Sequence, residues 1–245
     1  GDTIYINSVS DLLSLAKSCA YDQWSVGKTV ILQKDLSLEG MLWEPIPSFS
    51  GQFKGNGHTI SDLTITGQYS PAGLFGIVEE QGSIESLSVR GVVSVSDSAD
   101  TTTGGIVGIN HGTLISCQFT GVVTGDSEVG GIVGRNESEG TIDHSTARAI
   151  VTGKSSTGGI AGYNLGAITG CTAEGKDETQ GVGSEAIAKM PGEIAESGSI
   201  AVDGVSGATV TSTAIKEAAA AALTAAGLNP DDYKTAVEKT GSAED

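Results

Sequence analysis

The sequence predicts a mainly β protein: a right-handed parallel β-helix, capped at its N-terminal end by a helix and followed by a small α+β module. Three observations predict it. A four-residue unit with glycine at both ends recurs as Gly73-Leu74-Phe75-Gly76, Gly105-Ile106-Val107-Gly108, Gly131-Ile132-Val133-Gly134 and Gly159-Ile160-Ala161-Gly162, at spacings of 32, 26 and 28 residues. Two further short apolar segments follow the units, so a repeat holds about three strands and cannot bury its own apolar face; neighbours must stack. Glycine is abundant, 36 of 245 residues, and aromatics make up only 4%. That composition suits tight turns and narrow layers better than a helical bundle.

The elements follow in order. Thr3-Ile4-Tyr5-Ile6 reads as a strand and the next residues as a helix, with Ser8 or Ser10 as its cap and Leu12, Leu13, Leu15, Ala16 and Cys19 as its apolar face. Such a helix would cover the first open layer of the stack, where unpaired strand edges would otherwise face water. Short strands are expected at 29–32, 51–53, 58–60 and 63–65, with Gly55-Asn56-Gly57 as a turn. His58 follows that turn with no second His or Cys near it in sequence, and reads as a structural residue. From residue 73 the repeats place second strands at Ile84, Leu114, Ile142 and Ile168, and third strands at Val92-Val93, Val122-Val123 and Ile150-Val151.

These repeats resemble the GLUG motif of bacterial surface proteins, including exoproteins of the IgA-protease type. The stretches Trp43-Glu44-Pro45-Ile46 and Gly51–Ile60 match the segment that commonly precedes them. Stacking has a consequence for the cysteines. Leu87, Cys117, Ser145 and Cys171 each lie three residues after the start of a second strand and should form one column. With coils about 4.8 Å apart, Cys117 and Cys171 would be about 9–10 Å apart, too far for a disulfide, and both read as small inward packing residues.

Beyond the stack, Thr213–Ala226 is almost pure helix former. Before it stands Asp203-Gly204-Val205-Ser206-Gly207-Ala208-Thr209-Val210-Thr211-Ser212. A helix start leaves backbone N–H groups free and carries partial positive charge, which suits an anion. Taken alone, the stretch is an ordinary capped loop. The order Asp203, two residues, Ser206-Gly207-Ala208-Thr209 resembles the flavinylation motif of FMN-binding domains, as in the C subunit of sodium-pumping NADH:quinone reductases and the G subunit of Rnf complexes. Glu178-Thr179-Gln180-Gly181-Val182-Gly183 resembles that family's Glu-Thr-x-Gly-x-Gly segment. The resemblance implies FMN held covalently on Thr209 through a phosphoester bond added by a flavin transferase. It also implies that Ser206, Gly207 and Ala208 form the loop around the phosphate, that Thr211 belongs to the cofactor-binding set, that Asp203 helps the transferase recognise the site, and that Glu178, Thr179, Gly181 and Gly183 border the ring system. The family's usual first strands are missing, and the last coil, Gly166–Ala173, is expected to replace them.

The expected division is 1–176 for the β-helix, 177–228 for the FMN-binding module and 229–245 for a polar tail that is a short helix or frayed. Net charge is −17, with net −9 in residues 1–176 and net −8 in residues 177–245. Such a surface repels nucleic acid and anionic lipid. No apolar run is long enough to span a membrane. The chain opens on Gly1-Asp2 without Met or a signal peptide, and is expected to be a segment of an exported, cell-surface or extracellular protein. No paired acid/base residues, nucleotide fingerprint or metal pattern is visible. The expectation is therefore an electron-transfer flavoprotein with redox partner proteins rather than a complete enzyme. The alternative is a surface adhesion or structural protein with an empty flavin site. Polysaccharide cleavage is disfavoured because the repeat strands carry Ser, Thr, Gly and Val, with isolated Glu85 and Asp143, rather than clustered carboxylates.

Overall fold

The computed structural model describes residues 2–21, 23–95, 101–174 and 228–234, together with Lys216, Ala219, Ala220 and Leu223. It divides into two compact units, Gly1–Gly175 and Lys176–Asp245.

The first unit is a parallel β-solenoid. One face has seven strands, in stacking order Thr3–Ile6, Thr29–Leu32, Gln52–Lys54, Ser83–Glu85, Thr113–Ile115, Thr141–Asp143 and Ala167–Thr169. A second face stacks Leu36–Ser37, Thr59–Gly67, Ser88–Val95, Gln118–Thr124, Thr146–Thr152 and Thr172–Glu174, and a third stacks Ile46–Phe49, Phe75–Val78, Val107–Asn110, Val133–Asn136 and Ala161–Asn164. A fourth, short sheet holds Thr102–Gly104, Glu128–Gly130 and Thr157–Gly158. The register is the one the repeat spacing predicts: Phe75, Val107, Val133 and Ala161 lie in one column, and Ile84, Leu114, Ile142 and Ile168 in another. The two strands expected at 58–60 and 63–65 are one strand, Thr59–Gly67. A register shift between Ile60 and Leu63, where Asp62 takes φ 57°, absorbs the extra residues.

Packing explains why glycine recurs at both ends of the repeated unit. A Cβ on the first glycine would strike the core: at Gly105 it would lie 2.4 Å from the Phe119 ring. A Cβ on the last would strike the strand crossing outside: at Gly108 it would lie 2.5 Å from Pro71 Cβ, and at Gly134 2.6 Å from the Thr103 nitrogen. Inside, Phe49, Phe53 and Phe75 pack with centroids 5.3–6.2 Å apart, in the offset and edge-on arrangements that aromatic quadrupoles favour.

The N-terminal helix is Val9–Ser18, and Ser8 is its cap, accepting the Asp11 N–H at 3.1 Å. Leu12, Leu15 and Cys19 are buried, but Leu13 is 43% exposed. Positions 12, 15, 16 and 19 form one stripe of a 3.6-residue helix, and position 13 lies outside it. In the second unit, Leu228 N–H donates to the Leu223 carbonyl at 2.9 Å. A six-to-one bond of this kind is found where helices close. The tail contains a 3₁₀ turn, Pro230–Tyr233, capped by Asn229.

Candidate functional site

Corners and columns determine which side chains the solenoid presents. Between the third and first faces, Asn110 and Asn136 are fully buried. Asn110 Nδ2 donates to Asn136 Oδ1 at 2.8 Å, and Asn136 Nδ2 to Asn164 Oδ1 at 2.8 Å. Asn110 also closes its own corner through Gly112, and Asn136 donates to the Gly140 carbonyl. An amide has two donors and two acceptor lone pairs, so one residue type can satisfy both the turn and the neighbouring coil. The column belongs to the scaffold.

The cysteines and histidines are equally engaged. Leu87, Cys117 and Ser145 are buried, with Cys171 partly so, and the three cysteines are free thiols. Cys117 N–H donates to Ser145 Oγ at 3.1 Å, and Ser145 N–H to Cys171 Sγ at 3.5 Å. The serine thus separates the two thiols in one column. Burial pushes the Cys117 thiol up to about 12 and the Cys19 thiol up to about 11, so neither is a thiolate at neutral pH. His58 Nδ1 lies 3.2 Å from Asp35, whose carboxylate is lowered first by the Thr59 N–H bond to it. His144 pairs with Asp143 at 2.8 Å. His111 lies 3.8 Å from Glu139, so each of the three histidines has a local carboxylate. Among the described residues no group of His, Cys, Asp and Glu could hold a metal ion.

The last coil, residues 157–174, ends the four sheets. Its Tyr163 ring lies 4.9 Å from the Arg135 guanidinium, which also binds Glu128 at 2.8 Å and Glu137 at 2.6 Å. The bond to Glu137 is the largest cause raising the arginine's pKa, so this group keeps its charge. Arg148 meets Glu174 at 3.0 Å. In the second unit Lys216, Ala219, Ala220 and Leu223 are helical. Their helix therefore begins at or before Lys216, seven residues after Thr209. Asp203, Ser206, Gly207, Ala208, Thr209, Thr211, Glu178, Thr179, Gly181 and Gly183 lie outside the described residues.

Comparison with known families decides what this chain carries. Residues 125–152 match the GLUG motif and residues 153–224 match the FMN-binding domain. The chain is a GLUG β-helix fused to an FMN-binding domain. The FMN-binding match includes Asp203, the Ser206–Thr209 stretch and Glu178–Gly183, and begins at residue 153, so it takes in the last coil of the solenoid. Over 155 residues the chain is 34% identical to halomucin of Haloquadratum walsbyi, covering 58% of this chain and 2% of that protein. Over 137 residues it is 30% identical to a candidate Gly-rich membrane protein of Evansella cellulosilytica, covering 40% of this chain and 16% of that one. The chain thus spans a small part of these relatives. A crystal structure of a candidate immunoglobulin A1 protease from Bacteroides ovatus aligns with a TM-score of 0.47 and 16% identity, over 71% of this chain and 66% of that one. Among the described residues no helix is long and apolar enough to cross a membrane.

Proposed function

We propose that this protein is an extracytoplasmic electron carrier that holds FMN covalently on Thr209. One observation carries the reading: an FMN-binding match over residues 153–224 that contains the Ser206-Gly207-Ala208-Thr209 stretch ahead of a helix. The Thr209 hydroxyl is the attachment point, and a flavin transferase is the partner that makes the phosphoester. Ser206, Gly207 and Ala208 bring the backbone close to the phosphate, and the following helix start favours its negative charge. Thr211 belongs to the cofactor-binding set, with Asp203 as the transferase's recognition residue. Glu178, Thr179, Gly181 and Gly183 border the ring system. Bound FMN supplies one- and two-electron chemistry, and the protein positions and tunes it. A tether keeps a small cofactor from diffusing away outside the cell.

The division of the chain belongs to the same proposal: a solenoid over 1–176, a flavin module over 177–228 and a polar tail over 229–245. The FMN-binding match starts at residue 153 and so includes the sequence of the last coil, which supports counting that coil with the module. Co-expression with a flavin transferase tests the reading. The purified chain is expected to absorb near ~450 nm and to carry the added FMN-phosphoryl mass, and Thr209→Ala is expected to lose both. A colourless, unmodified wild-type chain would sink it.

The likeness to halomucin favours a second reading, a cell-surface adhesion or structural protein. Under that reading the chain stays unmodified whether or not the transferase is present.

A further inference from the structure

Two clefts of about 330 and 260 Å³ adjoin at one corner of the solenoid, far in sequence from the flavin motif. They share Ser50 and Gln81. Gln23, Glu79 and Glu80 complete the first, and Lys28 and Gln52 line the second. Three glutamines therefore converge from three coils. Among the described residues, none of their side chains makes a hydrogen bond to the protein, and the Ser50 hydroxyl makes none either. Other polar groups here are held in place. Glu79 accepts the Ser48 hydroxyl at 2.8 Å, and Ser50 N–H donates to Ser25 Oγ at 2.8 Å. Lys28 is drawn aside by Asp2 at 3.6 Å and stacks 5.0 Å from the Trp24 ring. Gln23 sits in the left-handed region at φ 58°, where a side chain is disfavoured, and Val26 is 42% exposed in the same cleft.

We propose that this double cleft binds a neutral saccharide segment of about two sugar units. A sugar hydroxyl both donates and accepts, and a free amide offers both functions from one planar group. Two carboxylates accept further hydroxyl protons, and Val26 gives the carbon face of a ring an apolar contact. The larger cleft alone lies at the small end of the volumes of known small-ligand sites. Anionic sugars are disfavoured: Glu79 and Glu80 face the ligand, Lys28 is already paired, and the chain carries net charge −17. A peptide is a poorer occupant, because the strands that reach the cleft, Thr29–Leu32 and Gln52–Lys54, are already paired with each other and offer no open edge.

The test is a titration of the full chain, followed by NMR chemical shifts, with maltose, cellobiose, N,N′-diacetylchitobiose and digalacturonate up to ~20 mM, a range that detects millimolar affinity. Saturable binding of at least one neutral disaccharide is expected. Gln52→Ala and Gln81→Ala should each weaken it by roughly tenfold or more, with unchanged Tm, while Gln118→Ala on another face leaves it intact. Absence of binding by all three neutral sugars would overturn the proposal. So would affinity unmoved by both cleft variants, or digalacturonate as the preferred ligand. None of these outcomes depends on FMN attachment, so the saccharide and flavin proposals fail separately.

Discussion

At the scale of the residue, the corner between the first and second faces repeats one backbone conformation with different side chains. Asn56, Ser86, Ser116, His144 and Gly170 take φ 52°, 52°, 53°, 43° and 61°. The left-handed region costs an L-residue about 1–2 kcal/mol, and glycine escapes it. Ser116 is exposed and its side chain bonds to nothing among the described residues. Ser116→Gly therefore removes strain without removing a contact. Against that stands the larger unfolded-state entropy of glycine, about 0.4–1 kcal/mol. The strain is the larger quantity, so the variant is expected to gain about 0.5–1 kcal/mol in urea unfolding. A loss of stability would show that the serine hydroxyl matters.

At the scale of the element, the helix Val9–Ser18 shows how local chemistry fixes a boundary. Ser8 caps it, and the Asp11 carboxylate accepts the Asn7 N–H at 2.9 Å. That bond is the first cause lowering the Asp11 pKa, followed by Ser8. A carboxylate depressed in the folded state stabilises above its unfolded pKa of about 3.9, and its contribution disappears as pH falls through the folded value. Asp11→Asn should therefore lower Tm at neutral pH, and the difference should shrink as pH falls below about 4. Ser8→Ala should cost about 1 kcal/mol at neutral pH, read by the same thermal melts. Strand geometry sets a harder limit elsewhere. A Cβ on Gly121, at φ 148°, would lie 1.8 Å from the Gly91 carbonyl oxygen, whereas the next coil accepts Ala149 in register.

At the scale of the whole molecule, a stack of coils is a one-dimensional solid whose ends need covers. The N-terminal helix packs on strands Thr3–Ile6 and Ile46–Phe49 and buries Leu12, Leu15 and Cys19. The two leucines alone bury about 2 kcal/mol each, roughly 4 kcal/mol against a typical total of 5–15. Deleting residues 1–20 would also free the edge of Thr29–Leu32, which now pairs with Thr3–Ile6. The truncated chain is expected to associate in a concentration-dependent way during gel filtration, because an open parallel edge is a template for pairing. A truncated chain that stays monomeric, with an unchanged Tm, would show that the helix is not a cover.

The spacing of Gly73, Gly105, Gly131 and Gly159 was enough to predict the register of the third face, because each coil must return a glycine to the same crowded place. The FMN-binding domain was legible for a related reason: the residues that resemble its family lie in short runs of sequence, and the family match covers residues 153–224. The fourth sheet was not legible, since Thr102–Gly104 has no alternation to mark it. Nor was the left-handed corner, whose asparagine, serines, histidine and glycine share no chemistry, only a place. The saccharide cleft was hidden most deeply. Gln23, Gln52 and Gln81 are about thirty residues apart in sequence, and each reads as ordinary surface. Sequence alone determined which positions repeat, because steric exclusion acts on each coil in the same way. Only the tertiary structure decided which unrelated side chains meet, because that depends on how coils of unequal length come to lie over one another.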